Sequence, residues 1–217
     1  DDGSTGQELW AHDTSNHSTW QVADIYSGGN SWPGDYMEIL VGDTLYFSAY
    51  DAGTGYELWA HDTSNSSTWQ VADIKSAGTG SFPGIHMAIL VGDTIYFNAD
   101  GGVWPNADHE LWAHDTSNHS TWQVADINSG GSSFPENAIL VGDTIYFEAD
   151  GGSTGDELWA HDTSNSSTWL VADINSGGNS DPGYNMQILV GDTIYFDAMD
   201  GSKGVQKDVW AHDTSNS

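Results

Sequence analysis

Apolar residues in this chain occur in short runs, and the runs return in the same order about every 50 residues. With small changes, each unit contains Ile-Leu-Val, a segment ending in Tyr-Phe, then Glu-Leu-Trp-Ala-His-Asp and Trp-Gln-Val-Ala-Asp-Ile. Gly, Asn and Asp separate these runs, and none of them keeps a helical period. The pattern predicts an all-β chain built from a repeated unit.

The four runs of a unit predict four short strands, which we name a, b, c and d in chain order. A Gly-Asp turn joins strands a and b, because glycine adopts a positive φ without strain. In the first full strand b, Leu45, Phe47 and Ala49 point to one face of the sheet and Tyr46 to the other. Apolar residues on both faces are typical of a sheet packed between two neighbours.

Four-stranded antiparallel units at this period predict the blades of a β-propeller, in one domain spanning residues 1–217. The strands read c-d, then a-b-c-d three times, then a-b-c. We expect a four-bladed ring in which the terminal a-b pair and the first c-d pair form one composite blade. One strand c is then spare, because both 8–13 and 208–213 fit that position. The alternatives are a five-bladed ring with two partial blades and an open array whose ends pair with other copies.

Strand c also carries a recognisable motif. Glu57, Leu58, Trp59 and Asp62 match it, and the Asp-Ile of strand d and the Tyr-Phe of strand b recur with it. Over nearly the whole chain, the units resemble the ELWxxDGT-type repeats of large secreted or surface proteins of bacteria and archaea. Asp-Thr-Ser stands where that family has Asp-Gly-Thr, so the turn after strand c must differ. The resemblance implies a propeller-like extracellular repeat protein and implies no reaction.

The charge of the chain excludes some classes of partner. There are 32 acidic residues against three lysines and no arginine, for a formal charge of −29. The chain cannot replace the counterions of phosphates, so nucleic acid is excluded as a partner, and an anionic membrane surface would repel it. No run approaches the ~18 apolar residues of a membrane-spanning helix, so we expect no membrane insertion.

Two of the connections in each unit vary in length. The b–c and d–a loops differ between copies, whereas the a–b and c–d turns are constant. Because successive strands alternate in direction, the variable loops share one face, which is where binding functions usually lie. Aromatic residues beside acidic and amide groups on that face are typical of a sugar site. The ligand-binding candidates are Trp32, Tyr36, Tyr50, Tyr56, Trp104 and Tyr184.

A structural role competes with binding at some of these positions. Trp32, Phe82 and Phe134 each precede a proline, and their rings could instead fill the gaps between blades.

Calcium is the one cofactor that the sequence suggests. The b–c loops begin and end with carboxylates around flexible glycines, and hard oxygen ligands of this kind suit calcium. The candidate ligands are Asp51, Glu57, Asp150, Asp156 and Glu157. The alternative is that these loops are solvated turns.

The opposite face carries candidate modification sites. Each c–d turn contains an Asn-x-Ser sequon, which in a secreted chain predicts glycosylation. The sequons begin at Asn16, Asn65, Asn118 and Asn165.

No residue is singled out for catalysis. The histidine of strand c recurs in every copy, which is typical of a structural position, and no nucleophile or carboxylate pair stands out. We therefore expect a non-catalytic extracellular or cell-surface module for adhesion or assembly, with a glycan or a protein surface as its partner. The alternatives are a lectin that uses the variable loops, a polysaccharide-degrading enzyme, and self-association through the terminal strands into an end-to-end polymer.

Overall fold

The computed structural model describes residues 3–76, 78–103 and 106–216, which form five antiparallel sheets. Sheet 1 pairs β1 (Leu9–Asp13) with β2 (Ser18–Ala23). Sheet 2 contains β3 (Glu38–Val41), β4 (Thr44–Asp51), β5 (Gly55–Asp62) and β6 (Ser67–Ala72). Sheet 3 contains β7 (Ala88–Val91), β8 (Thr94–Asp100), β9 (His109–Asp115) and β10 (Ser120–Ala125). Sheet 4 contains β11 (Glu136–Val141), β12 (Thr144–Asp150), β13 (Asp156–Asp162) and β14 (Ser167–Ala172). Sheet 5 contains β15 (Gln187–Val190), β16 (Thr193–Ala198) and β17 (Asp208–Asp213), followed by a 3-10 turn (Thr214–Asn216).

Neighbouring sheets pack face to face through the apolar residues of their strands. Between sheets 2 and 3, Tyr46 and Leu58 of sheet 2 meet Ile95 and Phe97 of sheet 3 in one buried cluster. The same repeat positions form the clusters between sheets 3 and 4 and between sheets 4 and 5. The predicted all-β fold, with four-stranded antiparallel blades that are apolar on both faces, is therefore confirmed.

The recurrent histidine of strand c belongs to this packing. His114 lies against Tyr46 of the preceding sheet, with ring centroids 5.3 Å apart, and its Nδ1 is 2.8 Å from Thr121 Oγ1. Burial lowers the pKa of His114 to about 4. The ring is therefore neutral near pH 7 and serves as a packing group, in line with the structural role that its recurrence indicates.

The constant c–d turn is held by the Asp-Thr-Ser-Asn sequence itself. Asp62 Oδ1 accepts hydrogen bonds from Ser64 N at 2.8 Å and from Ser64 Oγ at 2.6 Å. Asp62 Oδ2 accepts a hydrogen bond from Asn65 Nδ2 at 2.6 Å. These bonds lower the pKa of Asp62, and they show how this turn forms without the glycine of Asp-Gly-Thr. They also engage the amide nitrogen of Asn65 that glycosylation would modify.

The recurrent glutamate of strand c anchors the loop that leads to the next sheet. Glu57 is fully buried, and its Oε2 accepts hydrogen bonds from Ile74 N at 3.0 Å and from Ser81 Oγ at 2.6 Å. Its Oε1 accepts a hydrogen bond from Ser81 N at 3.0 Å. Burial raises the pKa of Glu57 to about 7, and the hydrogen bonds oppose that shift.

The two partial sheets do not join. In the described residues, β1 and β2 pair only with each other, and β15, β16 and β17 form a separate sheet. The predicted composite blade is therefore not formed. The physical reason is the spare strand c, since β17 already occupies the edge of β16 that β1 would need. Within the described part of the chain, no helix has the length and apolar composition needed to cross a membrane.

Candidate binding face

The variable loops meet on one face, as the strand directions predict, and a buried serine ties them together. Ser81 lies in the loop between sheets 2 and 3, and its N donates to Tyr56 O at 2.8 Å. Asp100 N, at the end of strand b in sheet 3, donates to Ser81 O at 2.7 Å. The serine thus links the start of strand c in one sheet to the end of strand b in the next.

The residue after this serine is held in the left-handed region of φ. Phe82 N donates to the same Tyr56 carbonyl at 3.2 Å, which forces the backbone to turn at this point. Bulky residues seldom adopt a positive φ, and such positions persist only where the surrounding structure imposes them. The four equivalent positions are Trp32 (43°), Phe82 (52°), Phe134 (47°) and Asp181 (42°).

Four of the six predicted ligand-binding residues lie together on this face, at the end of sheet 2 and in the loop that leads into it from sheet 1. Their rings form a contiguous group, which we call the aromatic cluster: Tyr26, Trp32, Tyr36, Tyr50, Tyr56 and Phe82. Tyr56 lies at its centre, 4.9 Å from Tyr36, 5.4 Å from Tyr50, 5.5 Å from Phe82 and 6.1 Å from Trp32 between ring centroids. The rings are half-buried, so they pack on one another and still present surface to solvent.

A carboxylate lies beside the aromatic cluster. Tyr56 Oη donates a hydrogen bond to Asp35 Oδ2 at 3.3 Å. Burial, followed by the neighbouring Tyr36 and Asp35, raises the pKa of Tyr56, so its hydroxyl stays protonated. Next to Tyr36, a groove of about 480 Å³ runs between sheets 2 and 3, with Glu38 and His86 on its walls. The ring and hydroxyl of Tyr36, the carboxylate of Glu38 and the imidazole of His86 therefore border this groove, and Tyr36 joins it to the rest of the aromatic cluster.

The other two predicted ligand-binding residues are not part of the aromatic cluster. Trp104 lies outside the described residues. Tyr184 belongs to the loop before sheet 5, where Lys207 Nζ lies 4.6 Å from the centre of its ring. Tyr26 was not among the ligand-binding residues predicted from the sequence, and Phe82 was predicted only as a ring that fills the gap between blades.

The next repeat replaces this cluster with histidines and a buried ion pair. His109 stacks on Phe134 with ring centroids 5.0 Å apart, and His86 lies 6.5 Å from His109. Lys75 Nζ donates a hydrogen bond to Asp100 Oδ2 in a pair that is almost fully buried. Burial lowers the pKa of His109 despite the nearby Asp100.

The repeat after that gathers carboxylates, which we call the acidic cluster: Glu148, Asp156 and Asp181. One carboxylate oxygen of each lies within 4.8 Å of the others. Burial, followed by repulsion from Glu136, raises the pKa of Glu148 to about 8. Burial and repulsion from Asp150 and Asp181 raise the pKa of Asp156 to about 6. Among the described residues, this is the one group of three acidic or histidine side chains close enough to share a cation.

Most of the predicted calcium ligands accept hydrogen bonds from other groups of the protein: two anchor loops from the core, and two close their own turns. Glu57 and Glu157 are fully buried loop anchors, which is why they do not face the b–c loops. Asp51 accepts a hydrogen bond from Gly53 N and Asp150 one from Gly152 N, both at 2.7 Å, within their own turns. Only Asp156 belongs to the acidic cluster. The sequence contained one indication that the position of Glu148 is special. The fifth residue of strand b is polar in every copy: Ser48, Asn98, Glu148 and Asp197.

Comparisons with known proteins show the fold. No protein-family model matches the sequence, and no curated protein sequence matches it. In structure, the chain is similar to β-propeller domains of the GH74 xyloglucanase from Xanthomonas campestris, at 13% identity and a TM-score of 0.50 over 79% of this chain and 27% of that one. It is similar to puromycin hydrolase at 12% identity and a TM-score of 0.50, over 84% of this chain and 27% of the hydrolase. The chain thus spans about a quarter of each enzyme, and at these identities the similarity shows the fold alone.

Proposed function

We propose that this chain is a non-catalytic extracellular or cell-surface binding module that holds a neutral carbohydrate at the aromatic cluster. The observation that carries the proposal is the cluster itself. Trp32 and Tyr36 come from the loop that leads into sheet 2. Tyr50 and Tyr56 come from the paired strands β4 and β5, and all four rings form one half-buried patch beside a groove.

The chemistry of the patch suits a sugar. Aromatic rings offer apolar faces against which the C–H faces of a pyranose pack, and the hydroxyls of tyrosine offer directional hydrogen bonds. Asp35, Glu38 and His86 lie close enough to the rings to hold sugar hydroxyls. Rings that already pack on one another also lose little conformational entropy on binding.

The charge of the chain selects the class of carbohydrate. At a formal charge of −29, the long-range field repels sulfated or uronic polysaccharides. A neutral glycan is not repelled. The resemblance of the units to ELWxxDGT-type repeats of secreted and surface proteins supports an extracellular location, where such glycans are met.

The test is a glycan array with neutral and acidic oligosaccharides, followed by calorimetry with the best neutral ligand. We expect Tyr36→Ala and Trp32→Ala each to weaken binding by roughly tenfold or more, as for a central aromatic contact. Tyr184→Ala is the matched control, because it removes an exposed tyrosine from the same face at sheet 5. The proposal fails if no neutral glycan binds, or if the control weakens binding as much as Tyr36→Ala does.

A polysaccharide-degrading activity is the second candidate, and the acidic cluster is the observation that favours it. Glycoside hydrolysis uses one carboxylic acid of raised pKa as proton donor and a second carboxyl group that is ionised. Glu148, with a pKa raised to about 8, and Asp156, with a pKa raised to about 6, lie close enough to divide these roles. Glu148 is almost fully buried, and Asn137 Nδ2 donates to it at 2.8 Å, which favours the binding function over this one. Release of reducing ends from a neutral polysaccharide, lost in Asp156→Asn, would support the enzyme instead.

A further inference from the structure

One buried pair between sheets 2 and 3 joins an amine to a carboxyl group. Lys75 follows strand d of sheet 2, and Asp100 ends strand b of sheet 3. Lys75 Nζ donates a hydrogen bond to Asp100 Oδ2, and the two side chains are only 6% and 4% exposed. A buried ammonium and carboxylate are costly, because both charges lose their water. A reaction that removes both charges would remove that cost.

The repeat brings these two positions together, and only this copy pairs an amine with a carboxyl group there. In the preceding copy the equivalent residues are Tyr26 and Tyr50, whose ring centroids lie 5.6 Å apart. In the next copy the equivalent of Lys75 is Asn128. The contact is therefore a property of the fold, whereas the reactive groups are substitutions at one interface.

The backbone holds the carboxyl group of Asp100 in a way that suits attack by an amine. Its Oδ1 accepts hydrogen bonds from Gly102 N at 2.9 Å and from Asp108 N at 2.8 Å. Two backbone N–H groups on one oxygen act as an oxyanion hole, because they stabilise the negative charge that attack places there. Burial opposes ionisation of Asp100, but its hydrogen bonds outweigh burial and lower its pKa, so the pair starts as ammonium and carboxylate.

A histidine lies beside the other oxygen of this carboxyl group. His109 pairs with Asp100 across the hairpin, and its Nε2 lies 3.9 Å from Asp100 Oδ2. Burial lowers the pKa of His109, so the ring is neutral near pH 7 and can accept a proton and pass it on. An amine, a carboxyl group, an oxyanion hole and a proton carrier thus meet in one place.

We propose that Lys75 and Asp100 condense to form an isopeptide bond between Lys75 Nζ and Asp100 Cγ. A proton first moves from the ammonium to Oδ2, which leaves a neutral amine and a carboxylic acid. Nζ then attacks Cγ, and the two backbone N–H groups hold the oxyanion at Oδ1. His109 Nε2 takes a proton from Nζ and gives it to Oδ2, which leaves as water. One amide replaces the two charges, one water is released, and no further reactant is needed.

The bond serves the purpose that disulfides serve in many secreted proteins, because this chain contains no cysteine. It joins sheet 2 to sheet 3 and closes a loop over residues 75–100, which restricts the unfolded chain. The loop carries Phe82 of the aromatic cluster. The bond therefore also helps to hold that ring in place.

Digestion with trypsin tests the proposal on the unaltered chain. The chain has no arginine, so trypsin can cut the denatured chain only after Lys75, Lys203 and Lys207. Because trypsin does not cut after an acylated lysine, we expect a fragment of residues 1–203 whose mass is lower than its sequence mass by one water. Release of residues 1–75 as a separate fragment would overturn the proposal. A succinimide at Asp100–Gly101 also loses one water, but it leaves Lys75 open to trypsin and so gives that second result.

Two lysine variants form a matched pair. Lys75→Asn introduces the residue that the next copy has, and we expect this variant to have its full sequence mass and a lower melting temperature. Lys203→Asn removes a lysine that also contacts an aspartate, with Nζ 2.7 Å from Asp208 Oδ2, but that is 56% exposed. Its mass should still be low by one water. A Lys75→Asn chain that also lacks one water would overturn the proposal.

The rate of bond formation tests the part played by His109. The unaltered chain and its variants are refolded from inclusion bodies, and the fraction that trypsin no longer cuts after Lys75 is followed over time. We expect His109→Asn to slow the reaction by about 100-fold, as for loss of a general acid–base group, and His86→Asn to change it by less than about twofold. The ring of His86 lies 6.5 Å from that of His109 and makes a matched control. Equal rates in the two variants would overturn the role of His109. No step of these measurements involves a carbohydrate, so they leave the proposed function to its own test.

Discussion

The aromatic cluster and the acidic cluster occupy equivalent places on the same face, and their chemistry is opposite. Tyr56 pairs with Tyr50 across its hairpin, as Asp156 pairs with Asp150 across the hairpin of sheet 4. The backbone N of Ser81 donates to Tyr56 O at 2.8 Å, and that of Ser180 donates to Asp156 O at 2.8 Å.

The backbone thus follows the same path in both clusters, and both have a positive φ at the equivalent residue, 52° at Phe82 and 42° at Asp181. The side chains decide what each site contributes. In the aromatic cluster, burial of apolar surface stabilises the loops. In the acidic cluster, burial works against ionisation and raises pKa values. The repeat therefore supplies a fixed backbone position, and substitutions at that position give it its binding chemistry.

The most severe way to break this comparison is to move the acidic residue into the aromatic cluster. Tyr56→Asp removes a half-buried ring that contacts four others and puts a charged side chain in its place. We expect a loss of about 3 kcal/mol in the free energy of unfolding, because the ring contacts are lost and a carboxylate is partly desolvated. Denaturant unfolding followed by tryptophan fluorescence measures it. A loss below about 1 kcal/mol would mean that the rings do not support the loops.

An intermediate effect should come from neutralising the acidic cluster. Because the folded-state pKa of Glu148 is raised from 4.5 to about 8, the folded chain holds a proton there that the unfolded chain releases. This contribution to stability is full below about pH 4.5 and is lost as the pH rises through about 8. Glu148→Gln should therefore stabilise the chain at pH 8 by on the order of 2 kcal/mol and leave it nearly unchanged at pH 4.

Melting temperatures of both proteins from pH 4 to pH 9 test this expectation. Glu38→Gln is the control, because it removes one exposed charge from the same face. The preceding repeat carries an amide at the position of Glu148, namely Asn98, so the fold accommodates the change. Equal pH profiles for Glu148→Gln and the unaltered chain would show that Glu148 does not titrate in this range.

The smallest effect should come from the hydroxyl at the centre of the aromatic cluster. Tyr56→Phe keeps the ring contacts and removes the 3.3 Å hydrogen bond to Asp35, which is exposed to solvent. We expect stability to change by less than about 0.5 kcal/mol, since water replaces the lost partner. Affinity for a neutral glycan should still fall measurably in calorimetry, which would separate the binding role of this residue from its packing role. Unchanged affinity would assign Tyr56 to packing alone.

Much of the fold could be predicted because it rests on local chemistry. The alternation around Tyr46 and Phe47 sets which side chain faces which neighbour, and such alternation is a property of residues two apart. The side of the variable loops followed from the direction of the strands, and four of the aromatic candidates indeed lie together there.

The sites were predicted less well, because they join residues from different loops. Phe82 reaches Tyr56 only because the backbone at Ser81 is hydrogen-bonded to strand c of the preceding sheet. The carboxylate of Glu57 would suit calcium, but it points into the core. There it accepts a hydrogen bond from the side chain of Ser81. Neither the partner nor the direction of such a side chain follows from spacing along the chain.

The repeat, the strands, the apolar faces and the constant turns follow from the sequence alone, since each depends on residues within a few positions of one another. Which side chains meet across loops, and whether the partial sheets join, depends on the tertiary structure. Strands β1 and β17 have almost the same sequence and fit the same place equally well by local rules. Their pairing depends on which edge is already occupied, and that is a property of the folded array.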